Sequence, residues 1–251
     1  MILTKNNYYI IRVGDFATNA NTKIYYSLFT TVLSLDDYYH NQSLDCFKIM
    51  IYSTLIWSLI EFFLHITNTR VIKFMRFYFF KSQYILPNYI GIFLQGFQEG
   101  GCVTTIGLYF GDRLNQLEYL IFLHLLIGFI VLNVSIKNRI NNCSSKRLVN
   151  SKASLTLMSL ISLYNIKNLY VYPEHLQRQL KMLFVMIYIS SFWTLTAWYK
   201  GFRQVELYIP NKDNVEIIQK QSNFNTFYIL SYDVVFEIGM AYLFFYNFLI
   251  T

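Results

Sequence analysis

The chain has 251 residues, of which 55% are apolar and 19% aromatic while only 14% are charged, against about 25% charged in an ordinary soluble domain. That deficit excludes an intrinsically disordered chain and argues against a water-soluble globule, and apolar runs of about 20 residues match a bilayer core of roughly 30 Å. The net charge of +7 is spread over several short segments without a binding motif, which sets nucleic acid aside as a partner.

Seven apolar segments follow in chain order. Residues 24–35 form the first, ending at Asp36-Asp37, and residues 47–67 the second, ending before Arg70. Residues 71–110 are too long for one span and are interrupted by Lys81-Ser82-Gln83 and Pro87. Within them, 88–110 is the expected membrane core, and 71–86 is an interfacial helix or the start of one long tilted helix. Segments 118–136, 153–166, 180–199 and 227–250 complete the set. Helices rather than barrel strands are expected: sustained period-two alternation is absent, and in lipid the backbone must be satisfied within a helix or a closed barrel. The predicted fold is all-α, a single polytopic transmembrane bundle of about seven spans over residues 1–251.

The 21 basic residues orient that bundle, because inside loops hold an excess of Lys and Arg. Sixteen fall on one side: Lys5, Arg12 and Lys23; Arg70, Lys73, Arg76 and Lys81; Lys137, Arg139, Lys146, Arg147 and Lys152; Lys200, Arg203, Lys212 and Lys220. Lys48, Arg113, Lys167, Arg178 and Lys181, five in all, fall on the other. The expected orientation is N-terminus inside and C-terminus outside.

Ionisable groups within spans are costly and so mark candidate sites. Glu61 and His65 are four residues apart and share a helix face. Gln95, Gln98 and Glu99 lie among Gly96, Gly100 and Gly101, small residues that admit a neighbouring backbone. His124 sits in span four, and Asp233 and Glu237 form a second stripe after Tyr232. Two readings are open. In one, these groups line a single cavity and move protons or act on a lipid or sterol; in the other, they are satisfied pairs at helix contacts.

Catalytic sets are missing. Cys46, Cys102 and Cys143 lack CxxC spacing, which supports neither a disulfide framework nor zinc, and no HExxH, GxSxG or P-loop occurs. Span seven has no lysine for a retinal Schiff base. No cofactor or metal is expected. Five Ala beside 23 Phe and 22 Tyr suggest A+T-rich coding, as in mitochondrial genomes, ciliates, some amoebae and large DNA viruses. Residues 1–22 read neither as a secretory signal nor as an import presequence.

Two local runs carry a resemblance. His65-Ile66-Thr67 followed by Val71-Ile72-Lys73-Phe74-Met75-Arg76-Phe77, and Tyr232-Asp233-Val234-Val235, are similar to stretches entering the third and final helices of cytochrome c oxidase subunit three. The tryptophan-histidine-phenylalanine-valine that precedes the final-helix stretch in the family and its histidine-glycine-x-histidine run in helix six are absent here, and Glu99 lies later than the family's helix-three glutamate. The resemblance implies a metal-free subunit that holds phospholipid and supports proton uptake, with Arg70, Lys73 and Arg76 against lipid phosphate and Asp233 in a packing interface. The expected role is a cofactor-free subunit of a mitochondrial inner-membrane respiratory complex, with anionic phospholipid and other membrane subunits as partners. The alternative is a free-standing membrane enzyme or transporter in the endoplasmic reticulum or another internal membrane.

Overall fold

The computed structural model describes residues 8–14, 19–67, 70–72, 74–135, 143–149, 152–210 and 216–251. Among these, the helices line up as seven columns. The first two are α1 (Ala20–Asn41) and α2 (Asp45–Ile66). The third runs from α3 (Asn88–Gly96) through a π-helical segment (Phe97–Cys102) into α4 (Val103–Arg113). Next come α5 (Leu117–Ser135) and α6 (Lys152–Val171). A 3-10 turn (Pro173–His175) leads into α7 (Leu176–Tyr199). The last column joins α8 (Asn223–Tyr232), a second π-helical segment (Asp233–Met240) and α9 (Ala241–Leu249).

Four helices, Asp45–Ile66, Leu117–Ser135, Pro173–Tyr199 and Asn223–Leu249, are long and apolar enough to cross a membrane. Their outer faces carry bare apolar side chains such as Phe63, Leu125, Phe129 and Leu132, which water would penalise and lipid tails accept. The first helix is longer than its apolar run suggested. Asn19 caps it by accepting from the Thr22 amide at 3.4 Å, and Gln42, with φ 53°, closes it through a bond from its amide to the Tyr38 carbonyl. The buried core joins Tyr109 and Phe110 of α4, Met182 and Met186 of α7, and Tyr242 to Tyr246 of α9.

The structure departs from an all-α fold. Strands β1 (Tyr8–Gly14), β2 (Arg70–Ile72), β5 (Cys143–Val149), β6 (Arg203–Pro210) and β7 (Glu216–Lys220) form an antiparallel sheet in the order β2-β5-β1-β6-β7. Strands β3 (Arg76–Phe79) and β4 (Ser82–Ile85) form a separate hairpin. Residues 71–72 and 76–85 are therefore strand and hairpin rather than a helix. Every strand comes from a segment at the same end of the columns. Pairing supplies there the backbone hydrogen bonds that these short segments could not make alone.

Candidate functional site

The third column holds the first polar cluster. Gly96, Gly100 and Gly101 lie against α2: a Cβ at Gly96 would strike Ser58, one at Gly101 would strike Thr54, and one at Gly100 would come within 2.5 Å of the Ser53 carbonyl oxygen. That close approach sets Trp57 of α2 beside Glu99, whose carboxylate accepts from the indole nitrogen at 3.1 Å and from the Gln95 amide. Gln95 in turn accepts from the Lys23 ammonium at 2.6 Å, and Gln98 accepts from the same ammonium. Lys23 is only 2% exposed. Counted as a loop charge from the sequence, it lies inside α1, and Gln95 bridges it to Glu99. The π-helical turn that presents Gln98 and Glu99 is a rare form that recurs at functional sites, and Thr105 donates to the Gly101 carbonyl within it at 2.7 Å.

The last column holds the second cluster. Asp233, 0% exposed, begins the second π-helical segment and pairs with the Arg203 guanidinium. Arg203 also donates to Thr194 Oγ1 at 2.7 Å and lies 5.0 Å from the Trp193 ring centre. Its position follows from how α7 ends. Gly201, with φ 75°, donates to the Trp198 carbonyl at 2.8 Å, and Phe202 donates to the Ala197 carbonyl at 2.8 Å. This is a Schellman motif, which satisfies the last carbonyls of the helix and turns the chain sharply. Phe202 packs on Ala197 and Val134, and Arg203 follows directly, at the start of β6. At the far end of the π-helical segment Asn165 of α6 donates to the Met240 carbonyl at 2.8 Å, and Asn247 donates to Asn165 at 2.9 Å.

The remaining predicted residues are placed separately. Glu61 is fully buried in α2 and Glu237 is buried in the second π-helical segment. His65 is half-buried, and its Nδ1 has no hydrogen-bond partner among the described residues. His124 faces outward from α5, its Nδ1 2.7 Å from the Leu120 carbonyl and its Nε2 3.2 Å from the Tyr188 hydroxyl. Arg76 is exposed at the start of β3. The side chain of Arg70 and all of Lys73 lie outside the described residues. These bonds thus fall into two groups, one among α1, α2 and the third column, the other among α7, β6 and the last column, and Trp57 of the first also meets the Tyr242 ring of the last column edge-on at 5.1 Å. Among the described residues no group of three or more His, Cys, Asp or Glu is placed to hold a metal ion.

Sequence reading missed a third cluster, at the end of the columns opposite the sheet. Arg178 of α7 binds Asp112 of α4 through two bonds of 2.8 Å and Asp45 of α2 at 2.7 Å. Arg113 donates to Asp37 of α1 at 2.7 Å and stacks 3.9 Å from the Tyr109 ring centre, while the Tyr109 hydroxyl donates to Asp36 at 2.6 Å. The available signal was the concentration of Asp36, Asp37, Asp45 and Asp112 at helix ends beside two of the five basic residues on that side.

The chain matches no protein-family model, no curated protein and no solved structure. Its class is nonetheless defined: a helical membrane protein, with four helices fit to cross a bilayer, and buried polar clusters between its columns. A sheet built from the segments that link the columns lies at one end.

Proposed function

We propose that the chain is a cofactor-free integral membrane subunit of a larger assembly, crossing the bilayer seven times with its N-terminus inside. The observation that carries this reading is the disposition of the intramembrane acids. Glu99 is held by Trp57 and Gln95, and Asp233 by Arg203, each across a packed contact. Groups engaged in this way fasten helices, because removing either partner would strand a polar or charged atom in a low-dielectric interior. The topology is supported by the coincidence of two independent patterns. The segments that pair into the sheet are those that hold the basic excess, and the end of the columns with the Arg178 and Arg113 clusters is the end with few basic residues.

The assembly best fitting the composition and the subunit-three resemblance is a respiratory complex of the mitochondrial inner membrane, where the subunit supports assembly, lipid binding and proton uptake. Glu99→Gln and Asp233→Asn test the role directly. The subunit reading expects both variants to lower accumulation of the chain and of its assembly together. Normal accumulation and assembly with turnover abolished would overturn it in favour of the enzyme or transporter reading, which draws its support from the two π-helical segments that carry the acids.

A further inference from the structure

The hairpin β3–β4 is fixed at its root and bare at its tip. Met75, directly before it, is fully buried with Ala20 of α1 and Ile92 of α3. Asn21 of α1 pins its outer edge as a neighbouring strand would, its side-chain amide donating to the Tyr78 carbonyl at 2.7 Å and its side-chain oxygen accepting from the Tyr78 amide at 2.7 Å. Most of the apolar side chains of the hairpin are nonetheless exposed. Phe80 is 92% exposed, and Phe79, Tyr84 and Ile85 are each more than half exposed. Phe79 is stacked with Phe77 and edge-on to Phe80.

Two features indicate a surrounding other than water. Phe80 is the first residue of the two-residue turn and has φ 51°, where hairpins ordinarily place glycine or asparagine; an aromatic there is strained as well as bare. A two-stranded hairpin is also marginal in water on its own. The exposed surface is continuous with the outward face of α1, where Tyr25, Leu28, Val32 and Leu35 are exposed at helical spacing. Between the two lies an open cavity of about 320 Å³, lined by Ile24, Tyr25 and Phe77 to Phe80. Exposed Lys81 lies in the turn itself, and exposed Arg76 at the root of the same hairpin.

We infer that this hairpin is an interfacial anchor, its aromatic tip seated at the headgroup level of an acidic phospholipid bilayer with Arg76 and Lys81 on lipid phosphate. Aromatic rings favour that depth, basic side chains reach from it to the headgroups, and a negative leaflet attracts them. The inference rests on the chain being membrane-embedded, and the experiment separates the two.

The full-length chain, with Cys143→Ser, is labelled with an environment-sensitive fluorophore at Ser82→Cys, beside the turn, and reconstituted in nanodiscs of phosphatidylcholine with or without phosphatidylglycerol. A probe at Leu125→Cys on the outward face of α5 reports embedding itself. The anchor predicts quenching of the residue-82 probe by lipids spin-labelled near the headgroup, stronger with phosphatidylglycerol. Phe80→Gly, which relieves the turn, should reduce that quenching, and Arg76→Gln with Lys81→Gln should cut the preference for acidic lipid by about fivefold per site. A residue-82 probe open to aqueous iodide and unquenched by lipid, beside a quenched residue-125 probe, overturns the anchor alone. Shielding of residue 82 in native membranes without lipid quenching in nanodiscs assigns the tip to a protein partner and also overturns it. A residue-125 probe that no lipid label quenches overturns the membrane reading.

Discussion

The Arg203–Asp233 pair offers a quantitative test of the fastening role. Both side chains are almost wholly withdrawn from solvent, at 5% and 0% exposure, and the guanidinium also engages Thr194 and the Trp193 ring. Asp233→Leu leaves a buried guanidinium that cannot lose its proton, at a cost of about 3–5 kcal/mol. For a chain of this length that corresponds to a fall in Tm of ~6–20 °C. Arg203→Met supplies the other single variant. The double variant Arg203→Met/Asp233→Leu should recover to within about 1–2 kcal/mol of the parent, since a buried pair replaced by apolar residues of similar volume is often neutral or stabilising. Thermal unfolding of the four proteins in one detergent, followed by size-exclusion fluorescence, completes a double-mutant cycle. Additive losses, with the double variant the least stable of the four, would refute the argument.

Three other substitutions probe the rest of the frame. Gly100→Val places a branched side chain against the α2 backbone near Ser53, and should cost at least ~3 kcal/mol, seen as loss of the monodisperse protein peak after solubilisation. Arg178→Ala unties α2, α4 and α7 at one end; its side chain is 27% exposed, so the expected loss is about 1–3 kcal/mol, with protease nicking near the ends of those helices as the readout. Gly201→Ala forces a β-carbon into a left-handed position and should lower stability by ~1 kcal/mol in the same thermal assay.

Seven helical columns were legible because each rests on a local signal, an apolar run bounded by charge, proline or glycine. The strands were not. Cys143–Val149 reads CSSKRLV and Tyr8–Gly14 reads YYIIRVG; neither alternates, and each becomes a strand through a partner more than 100 residues away. Residues 71–86 misled in the same way, since the Phe80-Lys81 turn carries no glycine or asparagine and the run is as apolar as a helix. At the site, Glu99 and Asp233 stood out as acids within apolar runs, and the glycines beside Glu99 correctly foretold close helix packing. Their partners did not stand out. Lys23 sits at the edge of its apolar run and looks like a loop charge, and Arg203 reaches Asp233 only because the turn at Gly201 carries the chain back across 30 residues of sequence. The two π-helical segments left no periodicity to read, because a wide turn shifts the helix phase only locally.

The protein is proposed to work as one subunit among others. Source membranes solubilised in mild detergent, resolved by blue-native electrophoresis and identified by mass spectrometry, test it most directly. As one subunit of a respiratory complex, the chain is expected to migrate in a large assembly together with haem-bearing respiratory subunits. Migration as a small species without partners, from a membrane other than the mitochondrial inner membrane, would contradict it.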